Sequence, residues 1–260
     1  MPSADPAPAP RSRRPIAAAL LSLALVASGC GDDGGAEGEL LVFAAASLTD
    51  AFADVEAAFE ADNPGVDVTF NFAGSSSLRE QILEGAPADV FASANGSNMT
   101  TVADAGALAD EATLFARNLL QIAVPAGNPG DVTGLADFAD PDLLIGLCAE
   151  GVPCGDFGRE ALAAARVVPE IDTNEPDVRS LLTKIEADEL DAGIVYVTDV
   201  IAAGDLVEGI DIPDDLNVIA PYPIAPLADA PNPEAAAAFV AFVLSPEGQA
   251  ILARYGFAAP

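Results

Sequence analysis

Apolar residues fall into short blocks whose spacing switches between two periods. Residues 40–46 form an unbroken apolar run suited to a buried strand, and Ser47-Leu48-Thr49-Asp50 follows as a helix start of capping-box type. Phe52, Val55 and Phe59 recur at helical spacing until Asn63-Pro64-Gly65 stops the helix, after which 66–72 alternates as a strand. A helix joining two strands makes their parallel pairing the expectation. Gly74 then leads into the hydroxyl cluster Ser75-Ser76-Ser77, which opens another helix, and 88–93 reads as a short strand. Further strands are expected at 119–124, 143–147 and 192–197, and further helices at 157–166, 178–188, 233–244 and 246–255, the last pair preceded by the Pro-rich stretch 219–227. No short-period repeat is present. This alternation predicts an α/β protein of two doubly wound lobes flanked by helices, with a ligand cleft between them.

The N-terminus departs from that pattern. Arg11, Arg13 and Arg14 precede the apolar run 16–27, which has the length of an export-signal core and falls short of the ~20 residues that span a bilayer. Val26-Ala27-Ser28-Gly29-Cys30 resembles a bacterial lipoprotein cleavage box, so residues 1–29 read as a signal peptide and Cys30 as the lipidated first residue. Arg13-Arg14 leaves the twin-arginine export route open beside the general one. The Gly/Asp-rich stretch 30–38 has nothing to bury and reads as a flexible tether, placing the start of the folded body near Glu39. In an oxidising compartment, Cys148 and Cys154 are close enough in sequence for a disulfide to be the default.

Charge and composition narrow the chemistry. Among 260 residues, 10 are Lys or Arg and 41 Asp or Glu, for a net charge of -31. Such a field repels phosphate backbones, so no nucleic-acid partner is expected. The chain has no histidine, which removes Ser-His-Asp triads, Cys-His pairs and imidazole-based zinc sites. The remaining catalytic alternative is a serine hydrolase with Lys184 as base, and no Gly-x-Ser-x-Gly elbow supports it. Arg79, Arg159 and Arg179 could pair with an anion directly, but against so many acids surface salt bridges are the expectation.

Val42-Phe43-Ala44-Ala45-Ala46-Ser47-Leu48-Thr49, Gly85-Ala86-Pro87-Ala88-Asp89-Val90-Phe91, Gly193-Ile194-Val195-Tyr196 and Arg254-Tyr255-Gly256-Phe257 occur in that order. Over residues 40–257 the chain therefore resembles the periplasmic molybdate-binding proteins, the substrate-capturing subunits of ATP-driven importers. The resemblance implies a two-lobed periplasmic-binding-protein fold with two chain crossovers, lobe one being 39–117 with 225–260 and lobe two 118–224. It implies a non-enzymatic, extracytoplasmic monomer without a cofactor, anchored by its lipid, that binds molybdate or tungstate and serves a membrane permease. A binder of another tetrahedral oxyanion such as sulfate is the alternative.

By the same resemblance the oxyanion is held by the hydroxyls of Ser47, Ser75 and Tyr196 and by backbone N–H groups of Cys154 and Val178. Cys154 stands where the family commonly has alanine, a change that a backbone donor tolerates. The residues themselves allow a second role: a serine between strand and helix often serves only as an N-cap, and a tyrosine ending an apolar strand is often simply core.

Overall fold

The computed structural model describes Met1 and residues 37–260. The signal peptide expected over 1–29, Cys30 and most of the tether expected over 30–38 lie outside the described residues.

The chain opens with β1 (Gly38–Ala45), α1 (Thr49–Asp62), β2 (Val66–Ala73), α2 (Ser75–Leu83), β3 (Val90–Ala92) and α3 (Gly96–Asp104), then the long strand β4 (Thr113–Pro125). It continues through β5 (Ile145–Cys148), α4 (Pro153–Ala164), β6 (Thr173–Glu175), α5 (Val178–Glu186), β7 (Ala192–Tyr196), α6 (Val197–Ala203) and β8 (Val207–Asp211). Strand β9 (Ile219–Pro226) and helices α7 (Pro233–Leu244) and α8 (Pro246–Arg254) complete it.

One strand order is used twice. In lobe one, β2, β1 and β3 run parallel, β9 lies antiparallel to β3, and the first half of β4 closes the sheet against β9. In lobe two, β6, β5 and β7 run parallel, the second half of β4 lies antiparallel to β7, and β8 closes the sheet. The antiparallel fourth strand of each sheet thus arrives from the other lobe, which makes β4 and β9 the two crossings. Phe52 and Phe59 of α1 follow the helical spacing read from the sequence and meet Phe239 of α7 edge to face, with ring centroids 6.0 and 5.3 Å apart. These fully buried rings pin α1 and α7 together against the sheet of lobe one.

Several expectations change. The strand expected over 119–124 extends back to Thr113, because Arg117 and Asn118 interrupt the apolar run without interrupting the backbone ladder. Residues 219–224 pair with the first half of β4, and Ile224 also reaches β3. The Pro-rich stretch is itself strand β9. Its Pro221 and Pro223 occupy alternate positions, so the missing donors fall on one edge of the strand. Helix α4 starts at Pro153 rather than 157, since proline is preorganised for the first helical turn, and it ends before Arg166, whose φ of 59° is left-handed. The short α3, β6, α6 and β8 had no apolar periodicity long enough to read.

Candidate functional site

Each wall of the interlobe cleft is a place where a strand ends and a helix begins. Ser47 sits in the 3-10 turn Ala46–Leu48 after β1, Ser75 is the first residue of α2, and Ala94 follows β3. From lobe two, Cys154 lies in the first turn of α4, Val178 opens α5, and Tyr196 ends β7. All of these line one cleft of about 200 Å³, counted to its open mouth. Helix N-termini gather unpaired N–H groups and the positive ends of helix dipoles, so their convergence makes a site for an anion.

Local bonding decides which groups face that space. Ser47 does not cap α1; its Oγ is 2.8 Å from the Tyr222 hydroxyl. Ser75 Oγ accepts the Ala94 N–H at 3.0 Å, leaving the Ser75 proton to donate elsewhere. In the first turn of α4, Gly155 and Asp156 donate to the Val152 carbonyl at 2.9 and 3.0 Å and Pro153 has no N–H, so Cys154 N–H is the donor left over. Cys154 is bridged to Cys148, which ties this turn to the end of β5. The turn is tight enough that a Cβ on Gly155 would lie 2.2 Å from the Ala149 carbonyl oxygen, a position only glycine accepts. At α5, Asp177 caps the helix by accepting Ser180 N–H at 2.8 Å and Ser180 Oγ–H at 3.0 Å, and among the described residues Val178 N–H has no acceptor. Tyr196 is 1% exposed and its hydroxyl has no hydrogen-bond partner among the described residues.

The candidate cations are used elsewhere. Arg79 donates to Asn98 Oδ1 at 2.8 Å, and Arg159 donates to the carbonyls of Cys148 and Gly155 at 2.7 and 2.9 Å. Arg179 pairs with Asp50 across the cleft. Lys184 Nζ is 2.6 Å from Glu175 Oε1 in an ion pair, and among the described residues its hydrogen-bond partners are Glu175 and Thr173, not a serine. Burial raises the Glu175 carboxyl, but the Lys184 and Thr173 hydrogen bonds outweigh it and hold the group below its ordinary range. What the cleft offers is neutral donors.

Residues 40–258 match the family described as bacterial extracellular solute-binding protein. The chain belongs to this family. Among its relatives, the molybdate-binding protein ModA of Mycobacterium tuberculosis is 41% identical over 221 residues, 85% of either chain. ModA of Escherichia coli is 35% identical over 253 residues, covering 93% of this chain and 96% of that one. The periplasmic molybdate-binding protein of Azotobacter vinelandii has a similar fold, with a TM-score of 0.76 at 19% identity over 85% of this chain and 99% of that one.

In this solute-binding protein a buried carboxyl underlies the site. Asp199 Oδ2 accepts the Tyr196 N–H at 3.0 Å, and its Oδ1 faces Arg179 Nε at 3.6 Å. Burial pushes Asp199 up to about 7, with Asp177 adding to the rise while Arg179 and the Tyr196 amide oppose it. Burial likewise raises the Tyr196 phenol, helped by Tyr222 and Asp199, so this hydroxyl keeps its proton and remains a donor. Because folded Asp199 holds a proton that the unfolded chain releases near pH 4, its contribution makes stability fall as pH rises from about 4 to about 7. Asp199→Asn should therefore gain on the parent across that window by up to ~1.4 kcal/mol per pH unit. Urea unfolding of both proteins from pH 5 to 8 checks this; a difference that stays constant with pH contradicts it.

Tyr222, Gly74 and Asp199 were not among the residues the sequence singled out. For Tyr222 the available signal was the alternation of Pro221 and Pro223 with Ala220, Tyr222 and Ile224, which puts the latter three on one strand face. For Gly74 and Asp199 no local signal exists, since their partners come from other segments or from burial itself.

Proposed function

We propose that this protein captures molybdate, and tungstate with it, outside the cytoplasm and passes it to the membrane permease of an ATP-driven importer. The observation that carries the reading is the Tyr196 hydroxyl, buried without a partner among the described residues on the wall of a cleft of helix N-termini. A polar group left in that state is a donor kept for a ligand. A small, fully deprotonated dianion is the ligand that uses donors alone, and in a dry cleft each such bond is stronger than in water. The relatives named as molybdate-binding proteins, matching nearly the whole folded body, favour molybdate among the dianions. Binding rather than catalysis is the role, and the protein acts as a monomer with no cofactor. With no tryptophan in the chain, tyrosine emission reports on the site. Calorimetric and fluorescence titration should find one molybdate per chain; no heat and no emission change would overturn the reading.

We also propose that Cys30 carries a lipid that holds the protein at the outer face of the cell membrane, on the strength of the Val26–Cys30 motif and the Gly/Asp-rich stretch after it. Cys30→Ser should move the protein from the detergent phase to the aqueous phase on phase partitioning. Unchanged partitioning contradicts the anchor.

A further inference from the structure

We propose that Tyr222 is a positioning residue for the bound oxyanion: its hydroxyl donates to Ser47 Oγ and so commits the Ser47 proton to the cleft. The inference rests on the oxyanion reading of this cleft and adds to it the device that sets the polarity of one ligand.

Tyr222 lies on β9, fully buried, with its hydroxyl 2.8 Å from Ser47 Oγ. Phe115, Tyr196 and Phe257 meet its ring edge to face with centroids 6.2, 6.0 and 5.4 Å away, so three rings fix where the hydroxyl stands. Two hydroxyls can share their one bond in either direction. If Ser47 donated, it would turn lone pairs toward the anion, and oxygen would face oxygen. If Tyr222 donates, Ser47 keeps its proton for the ligand. The phenol is the stronger acid and hence the better donor, while the aliphatic hydroxyl is the better acceptor. Donation from Tyr222 also polarises Ser47, and a hydroxyl that accepts one bond donates a stronger one.

Ser75 shows the same arrangement with the direction beyond doubt. An amide can only donate, so Ala94 N–H occupies Ser75 Oγ as an acceptor, and the serine proton must go elsewhere. Both serines thus accept from an inner donor and present a proton outward. At Ser75 that inner donor is backbone; at Ser47 it is a side chain, which can be removed.

A double-mutant cycle on the mature chain, with molybdate as the probe, tests the inference. Tyr222→Phe keeps the ring among its three neighbours and should weaken binding about five- to tenfold, the effect of one hydrogen bond. Ser47→Ala should weaken it at least as much, and the double variant should be no weaker than Ser47→Ala alone, because Tyr222 acts through Ser47. Thermal unfolding of the ligand-free variants reports any purely structural cost, which would lower the midpoint without coupling to Ser47. Parental affinity in Tyr222→Phe, or losses that multiply in the double variant, overturns the positioning role. Parental affinity in Ser47→Ala overturns the oxyanion reading itself, and the positioning role with it.

Discussion

Gly74→Val is expected to weaken molybdate binding about a hundredfold while the ligand-free protein stays folded. Gly74 has φ -60° and ψ 136°, an extended conformation any residue adopts, so valine brings no backbone strain. The obstacle lies across the cleft. A Cβ at Gly74 would stand 2.4 Å from the carbonyl oxygen of Pro176, which belongs to the turn before α5 in lobe two. Backbone on the far side cannot move without its lobe, so the lobes must part, drawing Cys154 and Val178 away from Ser47 and Ser75. Overpacking of this kind costs about 1–3 kcal/mol, and the upper end corresponds to roughly a hundredfold in affinity. Calorimetry gives the affinity and thermal unfolding of the ligand-free variant gives the stability. Binding within threefold of the parent would mean that closure at this contact does not govern capture.

Tyr196→Phe is expected to change affinity and stability in opposite directions. The tyrosine hydroxyl is buried and unpaired, so in the ligand-free state it is a cost of about 1 kcal/mol that phenylalanine removes. Once the anion is bound, the same hydroxyl is a donor to a charged oxygen, a bond worth about 1.5–3 kcal/mol or roughly ten- to a hundredfold in affinity. The variant should therefore unfold at slightly higher urea concentration and bind molybdate much more weakly. A residue that serves packing alone would lose stability and leave affinity almost unchanged. Losses in both would mean that the hydroxyl has a structural partner in solution.

The opening β1-α1-β2 unit was legible because every signal agreed: an apolar run, helical spacing of Phe52, Val55 and Phe59, the stop at Asn63-Pro64-Gly65, then alternation. Strand β9 was not, because proline argues against strand wherever both edges need donors, and only the sheet shows that Pro221 and Pro223 share one edge. Ser47, Ser75, Cys154, Val178 and Tyr196 came from the family resemblance; all line one cleft at junctions of strand and helix, but local pattern marks such a junction only at Ser47, Ser75 and Val178. Their hydrogen-bond polarity was not legible. Tyr222 meets Ser47 from 175 residues away, and Gly74 meets Pro176 across the lobes, contacts that no periodicity encodes. Ser47 shows the difference well: its sequence reads as a helix cap, yet it lies inside a 3-10 turn and its hydroxyl turns to the return strand.

Competition among oxyanions near neutral pH tests whether the cleft presents donors only. Among the described residues Asp177 is the one charged residue on the lining, and both its oxygens already accept from Ser180. Asp199 lies beneath Tyr196, turned to that residue's amide and to Arg179. A proton carried into the cleft by the ligand therefore has only Asp177, already engaged through both oxygens, to accept it, and is poorly paired there. Molybdate and tungstate enter fully deprotonated; sulfate does too, but it is smaller and cannot meet all the donors at once. Phosphate still carries a proton at that pH. Molybdate and tungstate should bind best, sulfate more weakly and phosphate least; phosphate displacing molybdate at equal concentration would contradict the donor-only cleft.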